Sequence, residues 1–210
     1  IGVETSLNLL KTSLVSPVAV ADAARFAADH GADVVYVVDS AGGLAPAAVT
    51  EYVTAAIETA ARAGYHGHDN TGFGLANALA AVDAGAEYVD VSLQGTGRSA
   101  GNTQTALLCA QFLEDVPNRD WRRLRDLESV VSSVYGEAAG VAIEDVLYGA
   151  AGLHSSFAPD LRQVATEFDT AFTDVLATAA ARGCSTVEAV CRAYESGGGR
   201  STSPGVDTSS

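Results

Sequence analysis

Four times before residue 114 a short apolar run gives way to a longer segment in which apolar residues return at helical spacing. Ile1 to Leu10 is the first run. Pro17 then opens a helix whose Ala, Val and Phe positions recur every three or four residues through His30, with Gly31 as its stop. Val34 to Val38 is continuously apolar and ends at Asp39-Ser40-Ala41-Gly42-Gly43, the pattern of a strand buried on both faces. A helix from Pro46 to Arg62 follows. Gly64 to His68 is a short strand, Gly74 to Ala84 an alanine-rich helix stopped by Gly85, and Tyr88 to Leu93 a further buried strand. A glycine-rich loop, Gln94 to Asn102, leads into a helix from Thr103 to Leu113.

Repeated strand-helix units with short loops predict a parallel sheet, either an open doubly wound sheet or part of a closed barrel. The polar residues favour the barrel. Asp39, His66, His68, Asn70 and Asn102 fall at or just beyond the carboxyl ends of strands, where (β/α)8 barrels carry their chemistry. A Rossmann sheet wants Gly-x-Gly-x-x-Gly after its first strand, and that motif is missing. The expected fold class is α/β, a partial TIM (β/α)8 barrel of four βα units over residues 1–117. After Pro117 strand signals stop. Helices at Trp121 to Tyr135, Ile143 to Tyr148, Ala158 to Arg182 and Thr186 to Tyr194 predict an all-helical domain over residues 118–195. The Gly, Ser, Thr and Pro-rich stretch 196–210 reads as a disordered tail.

Composition narrows the function classes. With 210 residues, 48% hydrophobic and 18% charged, the chain fits a packed, soluble globular protein. A net charge of −14 would repel a polyanion, so nucleic acid is not an expected partner. Arg119, Arg122, Arg123 and Arg125 have the spacing of a solvated helix face. No apolar run approaches the roughly 20 residues that span a bilayer, and no signal-type pattern opens the chain, so no membrane association is expected. Cys109, Cys184 and Cys191, an odd set without Cys-x-x-Cys spacing, fit free thiols in a reducing cytoplasm. The sequence opens at Ile1 and contains no methionine, and the expectation is a fragment of a longer chain.

His66-Gly67-His68 carries the sharpest chemical signal, because residues i and i+2 of a strand point to the same side and two such imidazoles can share one cation. An isolated His-x-His pair reads more often as two hydrogen-bonded histidines at a strand end than as a metal site. Two imidazoles also leave a divalent cation short of ligands, and Asn102 in the next loop is a candidate third. Glycines 95, 97 and 101 would let that loop's backbone approach a substrate, or merely turn the chain. Asp39 and Ser40 fit contact with an imidazole or the substrate, and fit a cap for the following turn equally well.

Taken together, Val38-Asp39-Ser40-Ala41-Gly42, Gly64-Tyr65-His66-Gly67-His68-Asp69-Asn70 and Ser92-Leu93-Gln94-Gly95 through Gly101-Asn102 resemble the metal-dependent lyases and aldolases related to hydroxymethylglutaryl-CoA lyase. Gly152-Leu153-His154-Ser155-Ser156-Phe157 and the helical region narrow the resemblance to the 4-hydroxy-2-oxovalerate aldolase family, over residues 1 to 185. The resemblance implies that the four strands are the second half of the barrel and that the helical region is a communication-type domain contacting an acylating acetaldehyde dehydrogenase. It implies a divalent cation, typically Mn2+ with Mg2+ or Co2+ as alternatives, and cleavage of a 4-hydroxy-2-oxoacid to pyruvate and an aldehyde. His66 and His68 match the family's two histidine ligands, Asn102 matches an asparagine ligand of some relatives, and Ser40 is placed against the substrate.

The chain also departs from the pattern. The Arg-Asp pair of the first barrel strand, with the third ligand and the histidine base, is not among these residues. His154 stands where the aldolases carry a substrate-positioning tyrosine, which makes it the catalytic candidate, and Ala106 stands at a position that is often glutamate. The alternative reading is a non-catalytic or complementing half-barrel subunit that needs a second chain for the first strands.

Overall fold

The computed structural model describes residues 2–59, 62–112, 120–136, 142–153 and 155–198. Strands β1 (Ser6–Leu9), β2 (Val34–Asp39), β3 (Ala63–Gly67) and β4 (Tyr88–Val89) alternate with helices α1 (Pro17–Asp29), α2 (Pro46–Ile57), α3 (Gly74–Asp83) and α4 (Thr105–Gln111). The sheet runs in the order β1-β2-β3-β4, and every pairing is parallel. Sequential order decides between the two architectures left open by the strand-helix repeat. A doubly wound sheet reverses its strand order at a switch point, whereas a barrel adds each strand beside the last. The chain is a partial barrel-type α/β sheet followed by helices.

Strict alternation assigns the two faces of the sheet. Val35 and Val37 of β2 and Ala63 and Tyr65 of β3 are buried in one cluster with Val20, Ala24 and Ala27 of α1, Val49, Val53 and Ala56 of α2, and Ala81 of α3. Burying each such valine removes apolar area worth about 1.5–3 kcal/mol. Tyr36, Val38, Gly64 and His66 therefore point to the opposite, inner face. The register pairs Tyr36 with Gly64 and Val38 with His66. Tyr36 lies so close over Gly64 that a Cβ there would come within 2.6 Å of its ring.

Local signals explain the helix boundaries. Ser16 caps α1 by accepting the Ala19 N–H, with Pro17 in the first turn. The Ala32 N–H reaches back to the Ala27 carbonyl at 3.0 Å across Gly31, and the Ala86 N–H to Ala81 at 2.9 Å across Gly85, which closes α1 and α3 where the sequence predicts. The fourth strand is shorter than the expected Tyr88 to Leu93. Asp90 still donates its N–H to the Tyr65 carbonyl at 2.9 Å, but Ser92 has already turned to bridge Gln104, and Leu93–Gly95 forms a 3-10 turn.

Helices α5 (Trp121–Tyr135), α6 (Ile143–Ala151), α7 (Ala158–Glu167), α8 (Phe172–Arg182) and α9 (Val187–Ala193) follow. The described residues divide into two compact units, Ile1–Cys109 with Glu128–Gly140, and Ala110–Leu127 with Val141–Ser210, so that α5 is split at Leu127. In the second unit Leu147, Leu161, Val175, Leu176 and Val190 are fully buried, and the Arg162 guanidinium stacks over Phe172 at 4.0 Å. The single helix expected over Ala158 to Arg182 is two, broken at Phe168–Ala171. Of the expected tail, Ser196 to Gly198 extend α9 in a π turn and the remainder lies outside the described residues.

Candidate metal centre

Strand β3 delivers His66 to the inner face, and His68 follows two residues later just past the strand's end. Both are half-buried, and their rings stand edge to face with centroids 5.4 Å apart. The same-side placement expected from His-x-His is thus realised. His68 pairs with Asn102 in an isolated antiparallel bridge, which brings the third sequence candidate alongside.

The loop carrying Asn102 is held by its own backbone. The Asn102 N–H donates to the Gly95 carbonyl at 2.9 Å, and its side-chain amide donates to the Thr96 carbonyl at 3.0 Å. Gly101 sits at φ +94°, and a Cβ there would fall 2.0 Å from the Gly95 oxygen. The glycines of this loop therefore serve first to close it around Asn102. Across the mouth, Gly42 at φ +61° lets the turn after β2 lie against the backbone beyond His68, since a Cβ would meet the Asn70 nitrogen and the His68 carbonyl at 2.8 Å. Asn70 clamps the two loops by accepting the Ala100 N–H, and Asp69 accepts the Gly74 N–H at the start of α3.

Asp39 and Ser40 separate in role. Asp39 follows Val35 and Val37 onto the helix-facing side, is fully buried, and accepts the Leu44 N–H at 2.9 Å, so its carboxylate shapes the turn into α2. Ser40 accepts the Lys11 N–H at 2.9 Å at the end of β1. That bond uses an oxygen lone pair and leaves the hydroxyl proton to be donated. Ala106 is fully buried in α4. His154 lies outside the described residues.

The sequence reading missed Asp90. Because Tyr65 pairs with Val89, the next residues along each strand, His66 and Asp90, are neighbours on the inner face. His66 Nδ1 lies 3.0 Å from Asp90 Oδ2. Burial raises the Tyr36 hydroxyl pKa, and the Asp90 charge beside it raises it further. The signal was present in the sequence: a carboxylate inside an otherwise apolar strand needs a partner.

The donor set fits a divalent cation in kind. His66 Nδ1 is engaged, which leaves Nε2. The His68 Nδ1 and Asn102 Oδ1 atoms are buried without a hydrogen-bond partner among the described residues, as expected of groups shaped to meet something else. Two imidazoles and an amide oxygen suit manganese, iron, cobalt or zinc better than calcium. Among the described residues no group of three or more His, Cys, Asp and Glu side chains forms a metal cage. Further oxygen ligands are needed to complete such a shell.

Known proteins share this frame. The chain is 36% identical over 190 residues to 4-hydroxy-2-oxovalerate aldolase 2 of Rhodococcus jostii (strain RHA1), an alignment that covers 87% of this chain and 54% of the relative. It spans about half the length of the curated relatives it matches. Among solved structures, the N-terminal domain of a candidate aldolase from Bacteroides vulgatus is similar with a TM-score of 0.55 and 27% identity, over 64% of this chain and 47% of that one. The carboxyl transferase domain of Rhizobium etli pyruvate carboxylase shares the fold, with a TM-score of 0.53 at 22% identity over 84% of this chain and 32% of that one. Residues 1–131 match the HMGL-like family, and the chain belongs to it.

Proposed function

We propose that this chain carries the two-histidine side of a divalent-cation-dependent aldolase that cleaves a 4-hydroxy-2-oxoacid such as 4-hydroxy-2-oxovalerate to pyruvate and an aldehyde. The observation that carries the reading is the inner-face pair His66 and His68, rings 5.4 Å apart, bridged at His68 to Asn102 with its buried, unpartnered amide oxygen. The names of the relatives support the reaction class.

In this reading His66, His68 and Asn102 hold the cation, Mn2+ by preference with Mg2+ or Co2+ as alternatives. A cation bound there supplies Lewis acidity toward an oxygen on which negative charge develops. Ser40 donates its remaining proton to the substrate carboxylate, while its oxygen stays fixed by Lys11. His154 takes the part of a substrate-positioning group. The helical residues 118–195 form a communication-type domain that docks an acylating acetaldehyde dehydrogenase. Among the described residues no helix is long and apolar enough to cross a membrane, and the net charge of −14 disfavours nucleic acid.

The test is pyruvate release from 4-hydroxy-2-oxovalerate by the full-length gene product, with and without manganese, beside its His66→Ala variant. Metal-stimulated turnover that the substitution lowers at least 100-fold is the expected result. Turnover indifferent to both the metal and His66 would refute the reading.

A further inference from the structure

The inner face holds one contact that the donor set does not explain. Asp90 places Oδ2 3.0 Å from His66 Nδ1, and the His66 and Asp90 side chains are 27% and 46% exposed. Among the described residues no arginine or lysine forms an ion pair with Asp90. Arg62, near the start of β3, is engaged by Glu4 and Glu87 and stacks on Tyr88. The pairing is set by the backbone, since the parallel register of Tyr65 with Val89 places residues 66 and 90 side by side.

We propose that Asp90 is the positioning residue for His66: its carboxylate accepts the Nδ1 proton, fixes the ring, and leaves the Nε2 lone pair free toward the inner face. The alternative tautomer, protonated at Nε2, would set the Nδ1 lone pair against carboxylate lone pairs at 3.0 Å, which is repulsive. A cation needs a neutral imidazole nitrogen with its lone pair exposed, and a carboxylate behind the ring both selects that tautomer and makes the nitrogen a stronger donor. His68 has no such support among the described residues, where its buried Nδ1 lacks a partner. The two histidines are therefore unequal: His66 is preset, whereas His68 depends on what binds.

The link from Asp90 to metal affinity rests on the proposed aldolase site, but the orientation of His66 does not, and the experiment separates them. Nitrogen-15 spectra of labelled histidine are recorded on the metal-free full-length gene product at alkaline pH, with His66 assigned by its loss in His66→Gln. The expected wild-type spectrum shows His66 protonated at Nδ1. Asp90→Asn, whose amide can turn an N–H toward Nδ1, is expected to shift His66 toward the Nε2-protonated form, as are Asp90→Ala and the shorter Asp90→Ser. Calorimetric titration with manganese alone is expected to show affinity weakened about 10- to 100-fold in Asp90→Ala and in Asp90→Asn. A wild-type His66 protonated at Nε2, or an unchanged His66 spectrum in Asp90→Ala and Asp90→Ser, would overturn the proposal. If the tautomers behave as expected and the wild type binds no manganese, Asp90 still positions His66 and the aldolase reading is what fails.

Discussion

Gly101 shows how much of the candidate centre depends on atoms that a residue lacks. Its φ of +94° and the 2.0 Å approach to the Gly95 oxygen leave no place for a methyl group. Gly101→Ala should destabilise the fold by about 1–3 kcal/mol from backbone conformation alone, and displace Asn102. Gly2→Ala, with nothing within 4 Å, should leave stability unchanged. Thermal unfolding of the two variants checks the contrast, and manganese titration of Gly101→Ala reports whether Asn102 matters to the site. Tyr65 gives a pH prediction. Burial, and then the nearby Asp39 charge, push its hydroxyl well above the ordinary tyrosine pKa of about 10. The folded state thus keeps a proton that the unfolded state releases, so the contribution is full below about pH 10 and is lost as pH rises further. Denaturant midpoints from pH 9 to 11 should fall, and Tyr65→Phe should make the fall shallower; an unaltered slope would contradict it. At this scale the spacing was enough to place His66 and His68 near each other and Asn102 in the adjoining loop, because strand alternation and loop position follow from it. It did not disclose which side Asp39 takes, since that depends on whether the strand's last residue still alternates toward the helices.

Between α7 and α8 a stop signal went unread because its chemistry is uncommon. Asp169 adopts φ +48° at the first position past the cap of α7, the Thr170 N–H reaches the Ala165 carbonyl at 2.9 Å, and the Asp169 N–H reaches Thr166 at 3.3 Å. This is the closing pattern that glycine makes at Gly31, Gly85 and Gly183, with aspartate in glycine's place. A left-handed residue with a Cβ costs about 1 kcal/mol more than glycine. Asp169→Gly should therefore raise stability by about 0.5–1 kcal/mol, and Asp169→Val should lower it by more than that, both read from urea midpoints. The other boundaries were legible where glycine, proline or serine marked them, as at Ser16, Pro17 and Gly31. The fourth strand was overextended because Val91 and Leu93 continue the apolar pattern, while the turn at Ser92 is made by its bridge to Gln104, a partner that only the fold supplies.

At the scale of the whole chain, charge and exposed apolar surface oppose each other. The −14 net charge keeps copies apart at low ionic strength, and screening shortens its reach to about 8 Å near physiological salt. Strands β1 and β4 each pair with one neighbour among the described residues, so each has one open edge of the kind that invites association. Leu10, Leu14, Val18 and Phe26 are exposed close to the β1 side, at 63–77%. The 210-residue chain on its own should therefore sediment as smaller species in about 20 mM salt and as larger ones in about 500 mM, because salt removes the repulsion and leaves the apolar attraction intact. Association that instead weakens with salt would mean that opposite charges hold the copies together, and would move attention to the arginines of α5. Substituting Leu10 and Leu14 with serine separates the two cases again: it should abolish salt-induced association driven by the apolar surface and leave charge-driven association untouched.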